Sequence, residues 1–383
     1  MMTTTNRRPF RVMLVFGTRP EAIKMMPVAR ELRRRSGIEA TVVVTGQHRQ
    51  MLDQVFEMFG ERPDLDLDVM TPNQGLAEMT AQIISMMGKV FREREVDLVL
   101  VQGDTTTAFA AALAAFYARI PVGHVEAGLR SFDLDRPWPE EFNRVAIDCF
   151  AELLFAPTET SAANLRNEYS RRGQIFVTGN TGIDSLFFVA RRLENEPEFS
   201  KKISSAYNGL DADRHLILVT GHRRESFGAG FEQICDGLLS VAARGDVQIL
   251  YPVHLNPNVR QVVNAKLAGQ PRLQLVEPVD YASMVYLMRR ASILLTDSGG
   301  IQEEGPSIGK PVLVMRDVTE RPEALGSGAV QLVGTDPKSI RSAVDLLLGD
   351  ADEYARRARP SFPFGDGTAA IKIADAIEKF AAV

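Results

Sequence analysis

Short apolar runs rich in β-branched residues alternate with helix-like segments along most of the chain, and this alternation limits the possible folds. In the first half, RVMLVF is followed by EAIKMMPVARELRRR, and VDLVLVQ by TTAFAAALAAFYA. The pattern begins again at HLILVT and continues through VQILYPV, LQLVEPV, ASILLT, KPVLVM and AVQLVG. A strand, a helix and a further strand in succession form a crossover between parallel strands. The sequence therefore predicts an α/β protein with two Rossmann-like, doubly wound domains.

The length of the chain and one polar stretch indicate where these domains divide. The 383 residues exceed what a single core usually holds. The first alternation stops near Asn180, and the polar stretch RRLENEPEFSKKISSAYNGLDADR follows as a linker. We expect an N-terminal domain over 1–180, a C-terminal domain over 181–365 facing it across a cleft, and a terminal helix over 366–383 that packs back on the N-terminal domain.

The composition is that of a soluble globular protein. Hydrophobic residues make up 45% of the chain, charged residues 24%, and the net charge is −5, which favours neither nucleic acid nor an anionic membrane as a partner. No apolar run suits a signal peptide or a membrane span, so we expect a cytoplasmic protein. Cys149 and Cys235 lack disulfide or zinc spacing and are expected to be buried thiols, and the histidines show no metal-binding spacing.

Three carboxylates follow apolar runs in the first half of the chain. Asp104 lies in VQGDTTT, Glu126 in GHVEAGLR, and Glu140 in RPWPEEFNR, where Glu141 is its neighbour. The loops after parallel strands are where α/β proteins gather catalytic groups. An acid on one face of a substrate and a base on the other require such a set, so these residues are candidates for proton transfer.

Each carboxylate also has a structural interpretation. Asp104 precedes a helical pattern and suits an N-cap, and Arg130 or Arg144 can form ion pairs with the glutamates. Glycines in the same loops leave the backbone open to a ligand, and this clustering favours a site. The glycines are Gly103, Gly123 and Gly128.

Two further loops carry cations after a strand. The first strand ends in GTRPEA rather than the GxGxxG of a dinucleotide fold, with Arg19 at the start of a helix and Lys24 in the next turn. The alternative there is an ordinary turn with a surface arginine. TGHRRES places His222, Arg223 and Arg224 after another strand, and two arginines beside the histidine favour a phosphate contact.

A glycine-rich loop in the second half completes the set. In LLTDSGGIQEEGPSIGKPVLVM, the residues Ser298, Gly299 and Gly300 follow a strand and open a helix, so their N–H groups can bind a phosphate. Glu304 lies one turn later, where it can accept hydrogen bonds from ribose hydroxyls. The loops together predict a diphosphate-containing ligand, and a nucleotide sugar fits them.

Taken together, the motifs resemble the non-hydrolysing UDP-N-acetylglucosamine 2-epimerases. They are GTRPEAIKMMPV, TGQHRQML, QGDTTT, HVEAGLR, PWPEEFNR, TGHRRES, YPVHLNPNV, DSGGIQEEGPSIGKPVLVMRDVTERPEA and GDG, in the order that the family keeps from the first strand to the terminal helix. The resemblance implies a glycosyltransferase-B-like fold, a homodimer, and interconversion of UDP-GlcNAc and UDP-ManNAc for polysaccharide biosynthesis without metal or other cofactor.

The resemblance also implies roles for single residues. Its catalytic positions fall on Asp104, Glu126, Glu140 and His222. Its substrate-binding positions fall on Arg19, Lys24, Ser298, Gly299, Gly300, Glu304, Arg321 and Met284, the last at a uracil contact where relatives can carry phenylalanine. A second UDP-GlcNAc acting as activator would contact Gln47, His48, Gln50 and Arg223.

Three other activities remain open at this point. A hydrolysing 2-epimerase would release free ManNAc and UDP, although TGQHRQML is typical of the non-hydrolysing group. A glycosyltransferase of the same architecture would need an acceptor. A nucleotide-sugar sensor would keep the DSGG loop and have no need of the three carboxylates.

Overall fold

The computed structural model describes residues 8–46, 49–69, 74–168, 172–221 and 228–382, and it divides into two compact units. Unit 1 consists of the chain up to Ser185 together with the segment from Phe364, and unit 2 is Leu186–Pro363. Each unit has a parallel β-sheet with helices between successive strands. The predicted α/β class with two Rossmann-like sheets is therefore confirmed.

Unit 1 contains a seven-stranded sheet in the order β3-β2-β1-β4-β5-β6-β7. The strands are β1 (Phe10–Phe16), β2 (Ile38–Val44), β3 (Leu65–Asp66), β4 (Leu98–Gln102), β5 (Val122–Val125), β6 (Leu153–Ala156) and β7 (Gln174–Val177). Neighbouring strands are parallel, and Val12 lies opposite both Ala40 of β2 and Leu98 of β4. The strand order reverses between β1 and β4, which makes their carboxyl ends the switch point of a doubly wound sheet.

Helices cover both faces of this sheet. They are α1 (Arg19–Arg34), α2 (Arg49–Phe59), α3 (Leu76–Glu93), α4 (Thr106–Tyr117), α5 (Glu140–Phe150), α6 (Glu159–Asn167) and α7 (Thr181–Asn195), the last of which contains the boundary. Every residue of β4 is buried, as expected for a central strand covered on both sides. Helix α4 contacts both α3 and α5, and its buried residues are mostly alanines, whose short side chains allow close packing.

Unit 2 contains a six-stranded parallel sheet in the order β10-β9-β8-β11-β12-β13. The strands are β8 (His215–Thr220), β9 (Val247–Pro252), β10 (Leu273–Val276), β11 (Ile293–Thr296), β12 (Val312–Val314) and β13 (Val330–Leu332). All six were expected from their apolar runs. The strand order reverses between β8 and β11, which are therefore the switch point of this sheet.

The helices of unit 2 follow the same alternation. They are α8 (Pro197–Ser204), a 3₁₀ helix (Ser205–Tyr207), α9 (Ala229–Ala242), α10 (Pro257–Leu267), α11 (Tyr281–Arg290), α12 (Gly299–Ser307), α13 (Pro322–Gly326), α14 (Pro337–Gly349) and α15 (Ala351–Arg357). Helices α9 and α14 contact each other and supply part of the apolar core that covers the sheet.

The polar stretch 191–214, expected as a linker, is largely helical. Helix α7 continues into it and α8 begins at Pro197. The Arg192 guanidinium lies 4.0 Å from the centroid of the Phe199 ring, and Ile203 is buried. Phe199 and Ile203 are four residues apart and give α8 an apolar side, a signal that the surrounding charges obscure.

One of the two cysteines differs from its prediction. Cys235 is buried as expected, but Cys149 on α5 is exposed. Cys149 follows the buried residues Ile147 and Asp148. Each further residue turns the side chain by about 100° around the helix axis, which brings Cys149 to the solvent side.

The terminal helix α16 (Ala369–Ala381) belongs to unit 1 and packs on α1. The ring of Phe380 meets the edge of Phe10 with centroids 6.3 Å apart. Arg35, at the end of α1, forms an ion pair of 2.9 Å with Glu378. An apolar contact and a charged contact thus fix α16 beside the first helix.

The first turn of α16 is capped from another helix. The backbone N–H groups of Ala369 and Ala370 donate to the carboxyl group of Asp184 on α7, at 3.3 and 2.9 Å. Burial, reinforced by the charge of Asp366, outweighs these donors and raises the pKa of Asp184 to about 6. Asp184 therefore supplies the acceptor that the start of α16 needs.

Replacing Asp184 by alanine should destabilise unit 1. Two buried N–H groups lose their acceptor, which costs about 1–2 kcal/mol of the free energy of unfolding. Asp184→Asn keeps an acceptor oxygen and is the matched control, with a smaller loss. Urea denaturation followed by circular dichroism measures both variants, and equal stability of Asp184→Ala and wild type would contradict this role.

The same carboxyl group should make stability depend on pH. Its folded pKa of about 6 lies above the value of about 3.9 for an unperturbed aspartate, so the folded state binds the proton more tightly. The stability that this group contributes is complete at low pH and is lost as pH rises through the folded pKa. We expect the free energy of unfolding of wild type, relative to Asp184→Asn, to fall between about pH 3 and about pH 7. A difference that stays constant or grows over this range would be inconsistent with the raised pKa.

Candidate active site

The loops after β1, β4 and β5 meet at one edge of the sheet in unit 1. These three strands are adjacent and parallel, so their carboxyl ends point the same way. The loop after β1 leads to Arg19, the loop after β4 carries Asp104, and Glu126 follows β5 directly. The topology thus brings candidate residues from distant parts of the sequence to the switch point.

The loop between β1 and α1 is fixed by a buried glutamate. The Thr18 side chain caps α1 and Pro20 lies in the first turn, as the sequence indicates. The Glu21 carboxyl group accepts from the backbone N–H of Gly17 at 3.1 Å and of Thr18 at 2.7 Å, and from the Thr105 hydroxyl at 2.6 Å. Burial raises the pKa of Glu21 although these hydrogen bonds oppose it. Glu21 therefore links the loop of Arg19 to the loop of Asp104.

Glu126 adopts a backbone conformation that is costly for a residue with a side chain. Its φ angle is 69°, in the left-handed region, which costs about 1–2 kcal/mol without glycine. The carboxylate forms an ion pair with Lys24, and the amide of Gln102 donates to it. Strain of this kind concentrates at functional sites, and the partners Lys24 of α1 and Gln102 of β4 place the carboxylate at the switch point.

Asp104 does not cap the following helix. Thr105 is the N-cap of α4 and accepts from Ala108 N–H at 3.0 Å, so the capping interpretation of Asp104 was wrong. The Asp104 carboxylate instead accepts from the Arg144 guanidinium of α5, with Nε at 3.0 Å. Asn143 donates its amide to the Asp104 carbonyl oxygen at 2.8 Å. Helix α5 therefore holds both the backbone and the side chain of Asp104.

The neighbouring acids Glu140 and Glu141 have different surroundings. Glu141 is 1% exposed and accepts from the backbone N–H of Ser131 at 2.9 Å and of Phe132 at 3.1 Å, and from Arg144 at 2.9 Å. The structural interpretation thus holds for Glu141. Glu140 is half-buried at the first residue of α5.

Only one of the three glycines expected to open these loops lies beside a carboxylate. A Cβ atom on Gly123 would lie 2.5 Å from Leu100, and one on Gly128 would lie 2.3 Å from the Ser161 carbonyl oxygen. Both therefore allow close packing of the protein with itself. A Cβ atom on Gly103 would lie 3.6 Å from Glu126 Oε2. Gly103, with φ of 69°, makes the turn between β4 and Asp104.

In unit 2, the glycine-rich loop forms the start of a helix. Ser298 is the N-cap of α12, which begins at Gly299 and Gly300, and Ser298 N–H donates to the Thr296 hydroxyl at 2.9 Å. The first amides of a helix lack partners within the helix and attract anions. The loop follows β11 at the switch point of its sheet, which is the expected position for a phosphate.

Unit 2 also contains three other predicted binding residues, Glu304, Met284 and Arg321. The Tyr281 hydroxyl donates to Glu304 Oε1 at 2.8 Å, and burial followed by the Glu304 charge raises the pKa of Tyr281. Met284, one turn after Tyr281 on α11, is half-buried. Arg321 forms ion pairs with Glu303 of α12 and with Glu320. Arg321 therefore lies beside α12.

Several predicted residues fall outside the described part of the chain. These are Gln47, His48, His222, Arg223 and Arg224, together with the side chain of Gln50. Among the described residues there is no group of three side chains that could hold a metal ion. No helix within the described ranges is long and apolar enough to cross a membrane.

Sequence reasoning did not single out several groups that shape this edge. Glu21 could have been found, because Thr18 and Glu21 have the T-x-x-E spacing of a capping box. Gln102 and Asn143 have no such signal, since each acts only through a contact between distant segments.

Comparison with known proteins shows similarity over nearly the whole chain. A family model for UDP-N-acetylglucosamine 2-epimerase matches residues 30–378. The UDP-N-acetylglucosamine 2-epimerase of Yersinia pestis is 53% identical over 369 residues, which cover 96% of this chain and 98% of that protein.

Solved structures give the same result. The crystal structure of the Neisseria meningitidis UDP-GlcNAc 2-epimerase bound to UDP-GlcNAc has a TM-score of 0.89 and 45% identity, covering 97% of this chain and 100% of that chain. The crystal structure of the Methanocaldococcus jannaschii enzyme in complex with UDP-GlcNAc and UDP has a TM-score of 0.79 and 32% identity, with the same coverage of 97% and 100%.

Replacing Glu141 and Glu140 one at a time should show which of these adjacent acids stabilises the fold. Glu141→Ala leaves two backbone N–H groups and one guanidinium nitrogen of Arg144 without an acceptor, which we expect to cost about 2–3 kcal/mol of the free energy of unfolding. Glu140→Ala, the matched control at the adjacent position, should change it by less than about 0.5 kcal/mol. Urea denaturation gives both values. Equal losses in the two variants would argue against the structural role of Glu141.

Proposed function

Because the chain belongs to the UDP-N-acetylglucosamine 2-epimerase family, we propose that it interconverts UDP-GlcNAc and UDP-ManNAc by the non-hydrolysing route, as a cytoplasmic enzyme. The relatives from Neisseria meningitidis and Methanocaldococcus jannaschii bind UDP-GlcNAc, and the latter also UDP, which supports a UDP-sugar as the substrate here. The two sugars differ only in configuration at C2.

Removal of the C2 proton needs prior activation, because C2 of a pyranose is not next to a carbonyl group. In the proposed reaction the bond between C1 and the UDP oxygen breaks, and its electron pair leaves with UDP. The positive charge that develops at C1 acidifies the C2 proton, which passes to a carboxylate. The products of this half-reaction are 2-acetamidoglucal, bound UDP and a protonated base.

The second half-reaction restores the nucleotide sugar with the opposite configuration. An acid delivers a proton to C2 from the other face, and the UDP oxygen forms a new bond to C1. Retention of UDP and exclusion of water throughout prevent hydrolysis to the free sugar. No net proton, water or electron is consumed, so the chemistry requires only groups that accept and donate protons.

The observation that carries this proposal is the pair of ionic contacts at the switch point of unit 1. Glu126 is paired with Lys24, and Asp104 with Arg144, on two loops that turn at left-handed residues. Two carboxylates with different neighbours can differ in their affinity for a proton, and distinct acid and base roles require such a difference. We assign proton transfer and stabilisation of the intermediate to Asp104, Glu126 and Glu140.

The leaving diphosphate requires positive groups. We assign this role to Arg19, His222 and the amides of Gly299 and Gly300, since donors that meet charge as it develops are worth a few kcal/mol each in enzymes, roughly 3 kcal/mol for one donor. Lys24, Glu304, Arg321 and Met284 are proposed to bind the rest of the nucleotide sugar. A second UDP-GlcNAc bound at Gln47, His48, Gln50 and Arg223 is the proposed activator.

We also propose that the chain forms a homodimer through unit 1. Adjacent helices α4 and α5 expose the aromatic residues Phe116, Tyr117 and Phe142, which are 44%, 68% and 49% accessible. The centroids of the Phe116 and Tyr117 rings lie 6.4 Å apart, and clustered exposed apolar side chains mark interfaces between proteins. Analytical ultracentrifugation tests this assignment, and a monomer at micromolar concentration would reject it.

Proton NMR with UDP-GlcNAc in deuterated water tests the reaction itself. We expect a growing UDP-ManNAc signal with deuterium at C2, because the transferred proton exchanges with solvent. Free ManNAc would instead show a hydrolysing 2-epimerase. An unchanged spectrum would reject epimerisation of this sugar and favour a sensor or a transferase that lacks its acceptor.

Removal of a single carboxylate charge should affect turnover more than nucleotide binding. We expect Glu126→Gln and Asp104→Asn to lower kcat by about 10²- to 10⁴-fold, the usual contribution of a proton-transfer group. UDP affinity, measured by calorimetry, should stay within a fewfold of wild type. Glu39→Gln, at an exposed position on β2, is the matched control with wild-type kcat. Normal turnover of Glu126→Gln would contradict the assignment of Glu126 to proton transfer.

A further inference from the structure

His124 lies fully buried on β5, two residues before Glu126, and both of its ring nitrogens have partners. Nδ1 is 2.6 Å from Asp148 Oδ1, and Nε2 is 2.7 Å from the Gly103 carbonyl oxygen. A carbonyl oxygen can only accept a hydrogen bond. Nε2 must therefore carry a hydrogen, and the charge of the ring depends on which group holds the proton between Nδ1 and Asp148.

The other contacts of Asp148 decide where that proton is. Its Oδ2 accepts from Gly128 N–H at 3.0 Å and from the Arg130 guanidinium at 2.8 Å. Burial disfavours the carboxylate, but His124 and Arg130 outweigh it and hold the pKa of Asp148 below its usual value. A guanidinium and a backbone N–H at Oδ2 favour the carboxylate form of Asp148, which has no proton to donate, so Nδ1 also carries a hydrogen and His124 is an imidazolium.

When Asp148 is ionised, the charges that surround this ring balance if the ring is cationic. Arg130 is 2% exposed in its side chain and pairs with Glu168 at 2.8 Å as well as with Asp148. His124 and Arg130 then supply two positive charges against the two negative charges of Asp148 and Glu168. With Asp148 ionised, a neutral ring would leave one negative charge without compensation, and Nδ1 would face Asp148 Oδ1 with no hydrogen between them.

The same four groups connect the two loops that carry the proposed catalytic carboxylates. Gly103, whose carbonyl accepts from His124, immediately precedes Asp104. Gly128, whose N–H is held by Asp148, lies two residues after Glu126. The backbone is left-handed at Gly103, Glu126 and Gly128. The His124–Asp148 pair thus stabilises the turns of both loops through hydrogen bonds to their backbone.

We propose that His124 is a positioning residue that, as an imidazolium, sets the backbone before Asp104 and, through Asp148, the turn after Glu126. It touches neither substrate nor reacting atoms. Its effect on catalysis rests on the proposed function of Asp104 and Glu126, whereas its charge can be measured without any substrate.

The first experiment measures that charge on the full chain without ligand. Nitrogen-15 NMR of histidine-labelled protein resolves the five histidines, and the His124→Gln variant identifies the signal of His124. We expect hydrogens on both ring nitrogens at neutral pH, because each nitrogen faces an acceptor oxygen. A ring with one bare nitrogen at neutral pH would overturn the proposal.

The second experiment uses two variants that each keep one half of the contact. The amide of His124→Gln can replace Nε2 and donate to the Gly103 carbonyl oxygen, whereas that of His124→Asn replaces Nδ1 and loses Gly103. We expect His124→Asn to lower kcat by about 10- to 100-fold through misplacement of Asp104, with KM changed less than about threefold. His124→Gln should retain more of kcat, with the acidic limb of its kcat–pH profile shifted to higher pH because the positive charge is lost.

A purely structural role predicts a different outcome. Ile83→Ala truncates a fully buried side chain of α3 in unit 1 and serves as the stability control, with wild-type kcat and pH profile. Matching kinetics of both His124 variants and wild type would overturn the positioning role, as would equal losses of kcat in Ile83→Ala and His124→Asn. If wild type fails to epimerise while the NMR shows the imidazolium, the proposed function fails, and with it the catalytic part of this inference, but the charge assignment stands.

Discussion

Parallel pairing of β4 with β1 on one side and β5 on the other determines most of what unit 1 can do. It forces the loops that begin at Gly17, Gly103 and Glu126 to the same edge of the sheet. Each of these loops then has to turn away from its strand within one or two residues. Glycine makes the turn at 103, and at 126 a glutamate adopts the conformation that glycine would prefer. Cross-loop contacts such as Thr105 with Glu21 keep these turns in place.

The charged side chains at this edge occur in ion pairs, in which an opposite charge compensates each one. Lys24 accompanies Glu126, and Arg144 lies between Asp104 and Glu141. Partly buried charges are tolerated because each has an opposite charge and further hydrogen bonds. The same arrangement places cations near the carboxylates before any ligand binds. The electrostatic field of the site is therefore already present in the folded protein.

The sequence predicts the sheets well because a buried parallel strand needs a continuous apolar run, and all six runs chosen in the second half are strands. It predicts single side-chain roles less well. Asp104 and Thr105 are both suitable N-caps by composition, and only the reach of Arg144 from α5 decides between them. Gly123 and Gly128 resemble ligand-approach glycines until the packing of Leu100 and Ser161 is known. Contacts between segments far apart in sequence leave no local pattern.

Unit 1 is assembled from two stretches of chain, because α16 returns to it after the whole of unit 2. A ribosome releases the chain from its N-terminus, and domains generally fold as they emerge. Unit 2 can therefore be folded before the backbone N–H groups of Ala369 and Ala370, which donate to Asp184, have been synthesised. The unit that carries Asp104 and Glu126 is begun first and completed last, so a translation product interrupted before α16 would contain both sheets but lack the helix that completes unit 1.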